Sequence, residues 1–435
     1  MTSEPQSVAV MTLMVRDEID IIRTWLDYHL EQGFAQIIVT DNGSVDGTRE
    51  VLGEYAAAGR IDLHDHPAQD KRQFEVVTGM ARRAASEFGA TWVLNSDADE
   101  FWVTESGETV TEAIARLPKD EVAYPVHVVN MFGPALESGF DITAAVWRDE
   151  REPEALHRVG LHAHPTQNLL HPGSDSVEVA QGNHFSSFPQ ADELPADVGL
   201  EVLHFPMRSW QQYQRRVRVG GEIYASSPDL HPSPRHHLMR DYRWDATGVL
   251  KMFYAARHPQ GRRAEGFRRD TRLAELLSAN GVATTNAVPL GAAESTELAE
   301  RFSHLDAVVV ALEDARVADV AVAESEVARL NQHNGAQHAK IEALESRADD
   351  LEQQLAEAQS HGAALQEQLD SLQGWTEERE LFLRRHEQMK DRISQLDHDL
   401  QRSDGELEDF RNRAVVRLAE KVKSPVSRIK GLIKR

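Results

Sequence analysis

The chain contains no cysteine. That excludes a disulfide scaffold, thiol catalysis, Cys-ligated zinc and iron–sulfur clusters, and it fits a reducing compartment. No run of about 18 apolar residues occurs, so no transmembrane helix is expected. The apolar stretch Val8–Val15 has no basic residue ahead of it and Arg16 directly behind it, which is not the pattern of a signal peptide. A cytoplasmic protein is expected. Proline nearly vanishes after Pro289, leaving only Pro425, and beyond residue 250 the only tryptophan is Trp375. Cations are scarce as well: 47 Lys and Arg face 71 Asp and Glu, a net charge of −24 over 435 residues.

The charge deficit is uneven. Residues 1–293 carry 27 basic and 42 acidic groups, and residues 294–410 carry 11 and 28. Residues 411–435 reverse the sign, with nine cations and one anion. From about Glu294 the sequence turns rich in Ala, Glu, Gln and Leu, the composition of long helices. Four segments follow: an α/β domain over 1–260, a helical connector over 261–293, a coiled coil over 294–410 and a basic amphipathic tail over 411–435.

Within the first segment, apolar runs at Ser7–Val15, Ala35–Thr40, Arg60–His64 and Thr91–Asn95 alternate with helical spacing at Ile19–Gln32, Ser44–Tyr55 and Phe74–Phe88. Such alternation predicts a mostly parallel sheet flanked by helices, with ligands beyond the carboxyl ends of its strands. Residues 121–205 read as irregular strands, and helices are expected at Ser209–Ala225, Ala246–His258 and Arg269–Leu277, the last stopping at Asn280-Gly281. In the third segment, Ile341, Ala348, Leu355, Gly362 and Leu369 take heptad position a, and Leu344, Leu351, Ala358, Leu365 and Leu372 take d. The phase breaks near Gly374 and resumes through Met389, Ile393, Leu396, Leu400, Leu407 and Phe410. A seam of two residues in seven predicts a coiled coil and a homo-oligomer, against the alternative of a helix folded back on the body.

Polar residues gather at the strand exits. Asp97 and Asp99 follow Trp92–Asn95, one residue apart, so both can reach one hard cation, Mn²⁺ or Mg²⁺. Asp41 leaves its strand where a carboxylate can accept hydrogen bonds from a base or ribose. Ser44 is placed to N-cap the next helix. Arg208, Gln212 and Arg216, spaced four apart, share one helix face that can grip a diphosphate. His204 is a candidate for the metal shell, and His184 a weaker catalytic candidate. Asp141, Asp149 and Glu150 have the right chemistry for a general base.

Four ordered segments carry a resemblance: Leu13-Met-Val-Arg-Asp-Glu18, Trp25-Leu-Asp-Tyr-His-Leu30, Ile37-Ile-Val-Thr-Asp-Asn-Gly-Ser-Val-Asp-Gly-Thr48 and Trp92-Val-Leu-Asn-Ser-Asp-Ala-Asp-Glu-Phe101. Over roughly residues 7–260 the chain resembles glycosyltransferase family 2, in the branch with an R-[ND]-E start and a D-x-D-E-F motif. Asp17 stands where that branch usually has Asn. Gly182-Asn-His184 and the segment His204–Arg216 also resemble it. The resemblance implies a GT-A (Rossmann-like) nucleotide-sugar-binding domain, a UDP-, GDP- or dTDP-sugar donor, a divalent metal and inversion. It puts Glu18 and Asp41 by the nucleotide, Asp97 at the ribose or metal and Asp99 on the metal.

The expected function is therefore transfer of a sugar to a glycan or lipid-linked acceptor. The alternative is an inactive GT-A domain serving as a coiled-coil scaffold. The tail is expected to touch anionic lipid on the inner face of a membrane, against the alternative that it pairs with the acidic coiled coil. It has no aromatic residue for stacking and the body is acidic, so nucleic acid is not expected as a partner.

Overall fold

The computed structural model describes residues 7–67, 73–118, 121–180, 182–226, 232–259, 265–279, 286–371 and 376–432, with side chains up to residue 412 except at 73 and 376–378. The chain divides into two compact units, Met1–Val317 and Ala318–Arg435. The first opens with β1 (Ala9–Val15), α1 (Ile22–Leu30), β2 (Gln36–Asp41), α2 (Thr48–Ala57), β3 (Asp62–Asp65), α3 (Gln73–Phe88), β4 (Trp92–Ser96), β5 (Glu100–Thr104) and α4 (Val110–Ile114). It continues with β6 (Tyr124–Phe132), β7 (Leu136–Ser138), β8 (Trp147–Asp149), α5 (Pro153–Arg158), β9 (Asn168–Pro172), β10 (Leu200–His204), α6 (Trp210–Ser226), α7 (His237–Ala246) and α8 (Leu250–Arg257). Then come β11 (Phe267–Arg269), α9 (Arg272–Ala279), β12 (Val288–Pro289), α10 (Ala292–Ser371) and α11 (Thr376–Leu432).

The expected alternation is present. Strands β3, β2, β1 and β4 lie side by side and parallel. Antiparallel β9, β6, β8 and β11 extend the sheet beyond β4. Both faces of the parallel part are covered, which is why its strands read as near-continuous apolar runs. Val10, Ile38 and Val93 pack on Val77, Met80, Ala81 and Ala84 of α3. Their neighbours Met11, Leu13, Ile37, Val39 and Leu94 face the other way, into a core holding Trp25 and Leu26 of α1.

Two buried histidines stitch this core, each with its tautomer set by its partners. His29 Nδ1 donates to the Trp25 carbonyl at 2.9 Å, and Nε2 accepts from the Trp102 amide at 3.3 Å. His171 Nδ1 donates to the Pro172 carbonyl at 2.8 Å, and Nε2 accepts from Asn95 Nδ2 at 3.0 Å. Asn95 Oδ1 accepts from Thr12 Oγ1 at 2.7 Å, so a closed polar chain links β1, β4 and β9. Burial holds His29 at about 3 and His171 at about 4, so both stay neutral.

Several elements differ from expectation. Ser44 does not cap α2; the cap position is Gly47, at φ 105°, a conformation glycine adopts without steric cost. The expected helix 246–258 is present as α8 but starts later, at Leu250. Gly248 at φ 72° separates α7 from α8, and α7 was not legible as an element of its own. A Cβ on Gly221 would lie 2.3 Å from the Tyr242 ring, so glycine there lets α7 pack close on α6. The expected stop at Asn280-Gly281 lies outside the described residues. The start of α10 belongs to the first unit: Leu298 and Val310 join a second core with Trp244, Phe253 and Tyr254.

In the second unit the heptad seam is closed within the chain. Positions a and d from Ile341 to Leu369, and from Met389 to Phe410, are less exposed than the residues around them. Leu365 and Leu396 are buried. Arg411 pairs with Glu345, Lys340 lies over the Phe410 ring at 5.1 Å, and Gly362 approaches Met389 and Ile393. Residue numbers thus run in opposite directions along α10 and α11, an antiparallel hairpin. The phase break near Gly374 lies outside the described residues, between the two helices. No described helix is long and apolar enough to cross a membrane.

Candidate functional site

Three loops meet beyond the carboxyl ends of the parallel strands. Asp17, at φ 56°, turns the loop after β1. Asn and Asp are the non-glycine residues that tolerate this region best, so either serves at this position. Its Oδ1 accepts from the Val45 amide at 2.8 Å. The loop after β2 answers: Ser44 Oγ accepts from the Asp17 amide at 3.0 Å, and Thr48 Oγ1 accepts from the Glu18 amide at 2.8 Å. The hydroxyls of Ser44-Val-Asp-Gly-Thr48 therefore shape the neighbouring loop. Asp41 is buried at the β2 exit. Its Oδ2 accepts from the amides of Gly43 and Ser44, while Oδ1 has no hydrogen-bond partner among the described residues.

Asp97 and Asp99 sit at the β4 exit. Burial first, then the nearby Asp99 charge, pushes Asp97 up to about 6. Burial would raise Asp99 too, but His204, Arg216 and Arg208 outweigh it and hold that carboxyl well below the usual range. Asn183 Nδ2 donates to Asp97 Oδ1 at 3.3 Å, aimed there by consecutive positive φ values at Gly182 and Asn183. Glu100, raised by burial and by both aspartates, is tied to Asn168 Nδ2 at 2.7 Å.

The opposing wall comes from β10 and α6. β10 pairs with β5 on one side and β6 on the other, in a register that sets His204 beside Glu100 and Asn130. His204 Nδ1 donates to Asn130 Oδ1 at 2.8 Å, leaving Nε2 facing Asp99 Oδ2 at 3.5 Å. Arg208 is fully buried, pairs with Glu18 and lies 3.1 Å from Asp20 Oδ2. Burial lifts Glu18 to about 7 against the pull of Arg208. Arg216 Nη1 lies 3.1 Å from Asp99 Oδ2, and Arg215 pairs with Asp17 at 2.9 Å. Arg208 precedes α6 rather than lying on its face; the shared destination of Arg208 and Arg216 comes from the turn before the helix. A cleft of about 810 Å³ runs between the β1–α1 loop and α6, lined by Arg16, Glu18, Asn42, Asp46, Gln212 and Arg216 among others.

The structure thus brings together Glu18, Asp97, Asp99, His204, Arg208 and Arg216, with Asp41 at the neighbouring strand exit. His184 is half-buried, with Nδ1 on the Gln167 carbonyl at 3.0 Å, and its acidity is shifted by burial and by His204 nearby. Asp141 lines a recess of about 240 Å³ with Met207 and Arg208. Asp149 is buried against Arg151 at 2.7 Å, and Glu150 pairs with Arg268 at 2.7 Å. Sequence reasoning passed over Asn183, Asn130, Asn168 and Asp20. Only Asn183 carried a signal, as the middle residue of Gly182-Asn-His184. Among the described residues no group of three or more His, Asp or Glu is closed around a common metal position. Asp97 and Asp99 nevertheless offer carboxylate oxygens, the donor type of a hard divalent cation.

The parallel β3-β2-β1-β4 core, its antiparallel extension and a carboxylate pair at the β4 exit make a GT-A-like layout. The family model described as Glycosyltransferase family 92 matches residues 5–134, which span β1 to β6 and hold Glu18, Asp41, Asp97 and Asp99. That match is to family 92, and assignment to family 2 is not supported. Among curated proteins, none matches the sequence. Solved structures similar to the chain include S. aureus TarS 1–349, at 10% identity, covering 54% of this chain and 70% of that one with a TM-score of 0.28. The same protein in complex with UDP-GlcNAc covers 63% and 92%, at 10% identity and a TM-score of 0.29.

Proposed function

We propose that the chain is a glycosyltransferase that moves a sugar, with inversion, from a nucleotide-diphosphate sugar to a glycan or lipid-linked acceptor. One observation carries this reading: Glu18 after β1 and Asp99 at the β4 exit are paired with Arg208, Arg216 and His204 from β10–α6, beside a cleft that Glu18 and Arg216 line. The match of residues 5–134 to a glycosyltransferase family supports it.

Asp41, with its free Oδ1, accepts from the base or ribose. Asp97, Asp99 and His204 Nε2 would hold Mn²⁺ or Mg²⁺. A cation there supplies positive charge against the charge that builds on the departing diphosphate. Arg208 holds Glu18 and Asp20 as a fixed, buried cation. Arg216, on the next turns of α6, reaches the diphosphate. Asp141 is the acceptor-side base: Thr143 donates twice to its Oδ1, which orients the carboxylate in its recess.

The test is hydrolysis and transfer over a panel of UDP-, GDP- and dTDP-sugars, with Mn²⁺, with Mg²⁺ and with EDTA. Turnover of one donor class, abolished by EDTA, is expected; turnover of none, or turnover that persists in EDTA, would sink the metal-dependent reading. The hairpin closes its own seam, so a homo-oligomer would need two hairpins to pair side by side; light scattering decides. The side chains of the basic tail lie outside the described residues beyond 412. Its nine cations support a contact with anionic lipid at the inner face of a membrane. Flotation with anionic but not neutral vesicles, lost on deleting 411–435, is the expected result.

A further inference from the structure

Asp99 is held by two groups, and they differ in freedom. His204 is fixed from behind by Asn130. Arg216 is held less firmly: its side chain is 35% exposed, and among the described residues it bonds Asp99 and the Pro206 carbonyl, at 2.7 Å, and lies over the Tyr213 ring at 5.6 Å. Arg208, by contrast, is fully buried between Glu18 and Asp20 and has nowhere to go.

We infer that Arg216 is an exchangeable counter-ion, which occupies Asp99 before substrate arrives and moves to the diphosphate when a divalent cation takes its place. The inference rests on the metal assignment proposed above and adds the coupling between the two ligands. A cation coordinated by Asp99 would sit close to the Arg216 guanidinium, and like charges at that distance in a partly buried site repel strongly. The guanidinium must leave as the cation enters. Leaving costs less when a diphosphate is present, because its oxygens offer the planar fork two parallel hydrogen bonds. Each ligand therefore relieves a cost that the other meets alone, and by linkage the gain is reciprocal. The site would hold a bare cation weakly and a cation together with a nucleoside diphosphate well.

The prediction runs against intuition for a binding-site residue: removing Arg216 should tighten the bare metal. Mn²⁺ binding to the full chain, read by the electron paramagnetic resonance signal of free Mn²⁺, is the measurement, made first without nucleotide. Arg216→Gln should bind Mn²⁺ at least about tenfold more tightly than wild type, the size of a typical coupling between sites. Arg215→Gln makes the same change of charge on the same helix, but its partner is Asp17; it should move Mn²⁺ affinity less than about threefold on that scale. With UDP, GDP or dTDP added, wild type should gain Mn²⁺ affinity, and Arg216→Gln should gain less.

Asp99→Asn separates the two ideas. If it leaves Mn²⁺ affinity unchanged, the metal assignment itself is wrong. If it abolishes binding while Arg216→Gln binds Mn²⁺ no more tightly than wild type, the exchange is refuted and the metal site stands. Equal tightening by Arg215→Gln and Arg216→Gln would also refute the exchange, by reducing the effect to net charge.

Discussion

Asp241 is the anion that pairs with both Arg240 and Arg257 in a buried knot of charge, and its loss has a calculable cost. It is 1% exposed. Arg240 Nε approaches its Oδ1 at 2.8 Å, Arg257 grips both oxygens at 3.0 and 3.1 Å, and the Tyr213 hydroxyl donates to Oδ2. These partners come from α6, α7 and α8, so one carboxylate fixes how three helices pack. Asp241→Asn keeps the volume and removes the charge. Arg240 and Arg257, both within 1% of full burial, are then left as neighbouring cations. Breaking a buried pair in this way costs about 3–5 kcal/mol. The first unit spans residues 1–317. At roughly 2.1 cal/mol/K per residue, its unfolding entropy is about 0.7 kcal/mol/K, so the midpoint should fall by about 6 °C. Thermal unfolding followed by tryptophan fluorescence reports directly, because Trp244 lies 5.0 Å from the Arg240 guanidinium. The apolar replacement R240M/D241L/R257M should recover much of the loss, since no unpaired charge remains. A midpoint lowered by less than about 2 °C in Asp241→Asn, against that ~6 °C, would refute the reasoning. So would an apolar triple variant less stable than the single one.

Asp99→Ala should lower turnover at least about a hundredfold, the loss expected from removing one main transition-state stabiliser, with folding unchanged by circular dichroism. His171, held at about 4 against an ordinary 6.5, stays neutral in the folded chain while the unfolded chain takes a proton. Its contribution is therefore present above pH 6.5 and lost as pH falls toward 4; urea melts at pH 7 and pH 5 should show His171→Gln losing about 2 kcal/mol less than wild type over that interval. Ending the chain at Ala293 removes Leu298 and Val310 from the second core and Glu313 from Arg243. A chain of residues 1–317 should therefore melt higher than one of residues 1–293, and equal midpoints would show that the start of α10 adds nothing to the body.

How much was legible depended on the range of the interaction. The strands and helices from β1 to β4 could be read because period-2 and period-3.6 patterns are local, and because a sheet covered on both faces leaves long apolar runs. Asp41, Asp97 and Asp99 could be placed because strand exits in a parallel sheet are where ligands bind, a rule of chain direction alone. The heptads of residues 341–410 were legible for the same reason: the seam depends on spacing along one helix. What that seam meets was not. Spacing specifies a complementary stripe, and only the tertiary structure shows that α11 supplies it to α10. The second half of the site lay equally out of reach. Asn130, 74 residues before His204, becomes its neighbour through the pairing of β10 with β6, and Arg208 finds Glu18 across 190 residues. Neither contact leaves a trace in local sequence, since each is made by strand order and by the turn into α6. The sequence by itself determined which residues have the chemistry and which segments carry them. The packing of sheet, turn and helix decided which of those residues share a buried space, because a charge finds its partner only where the fold removes the water between them.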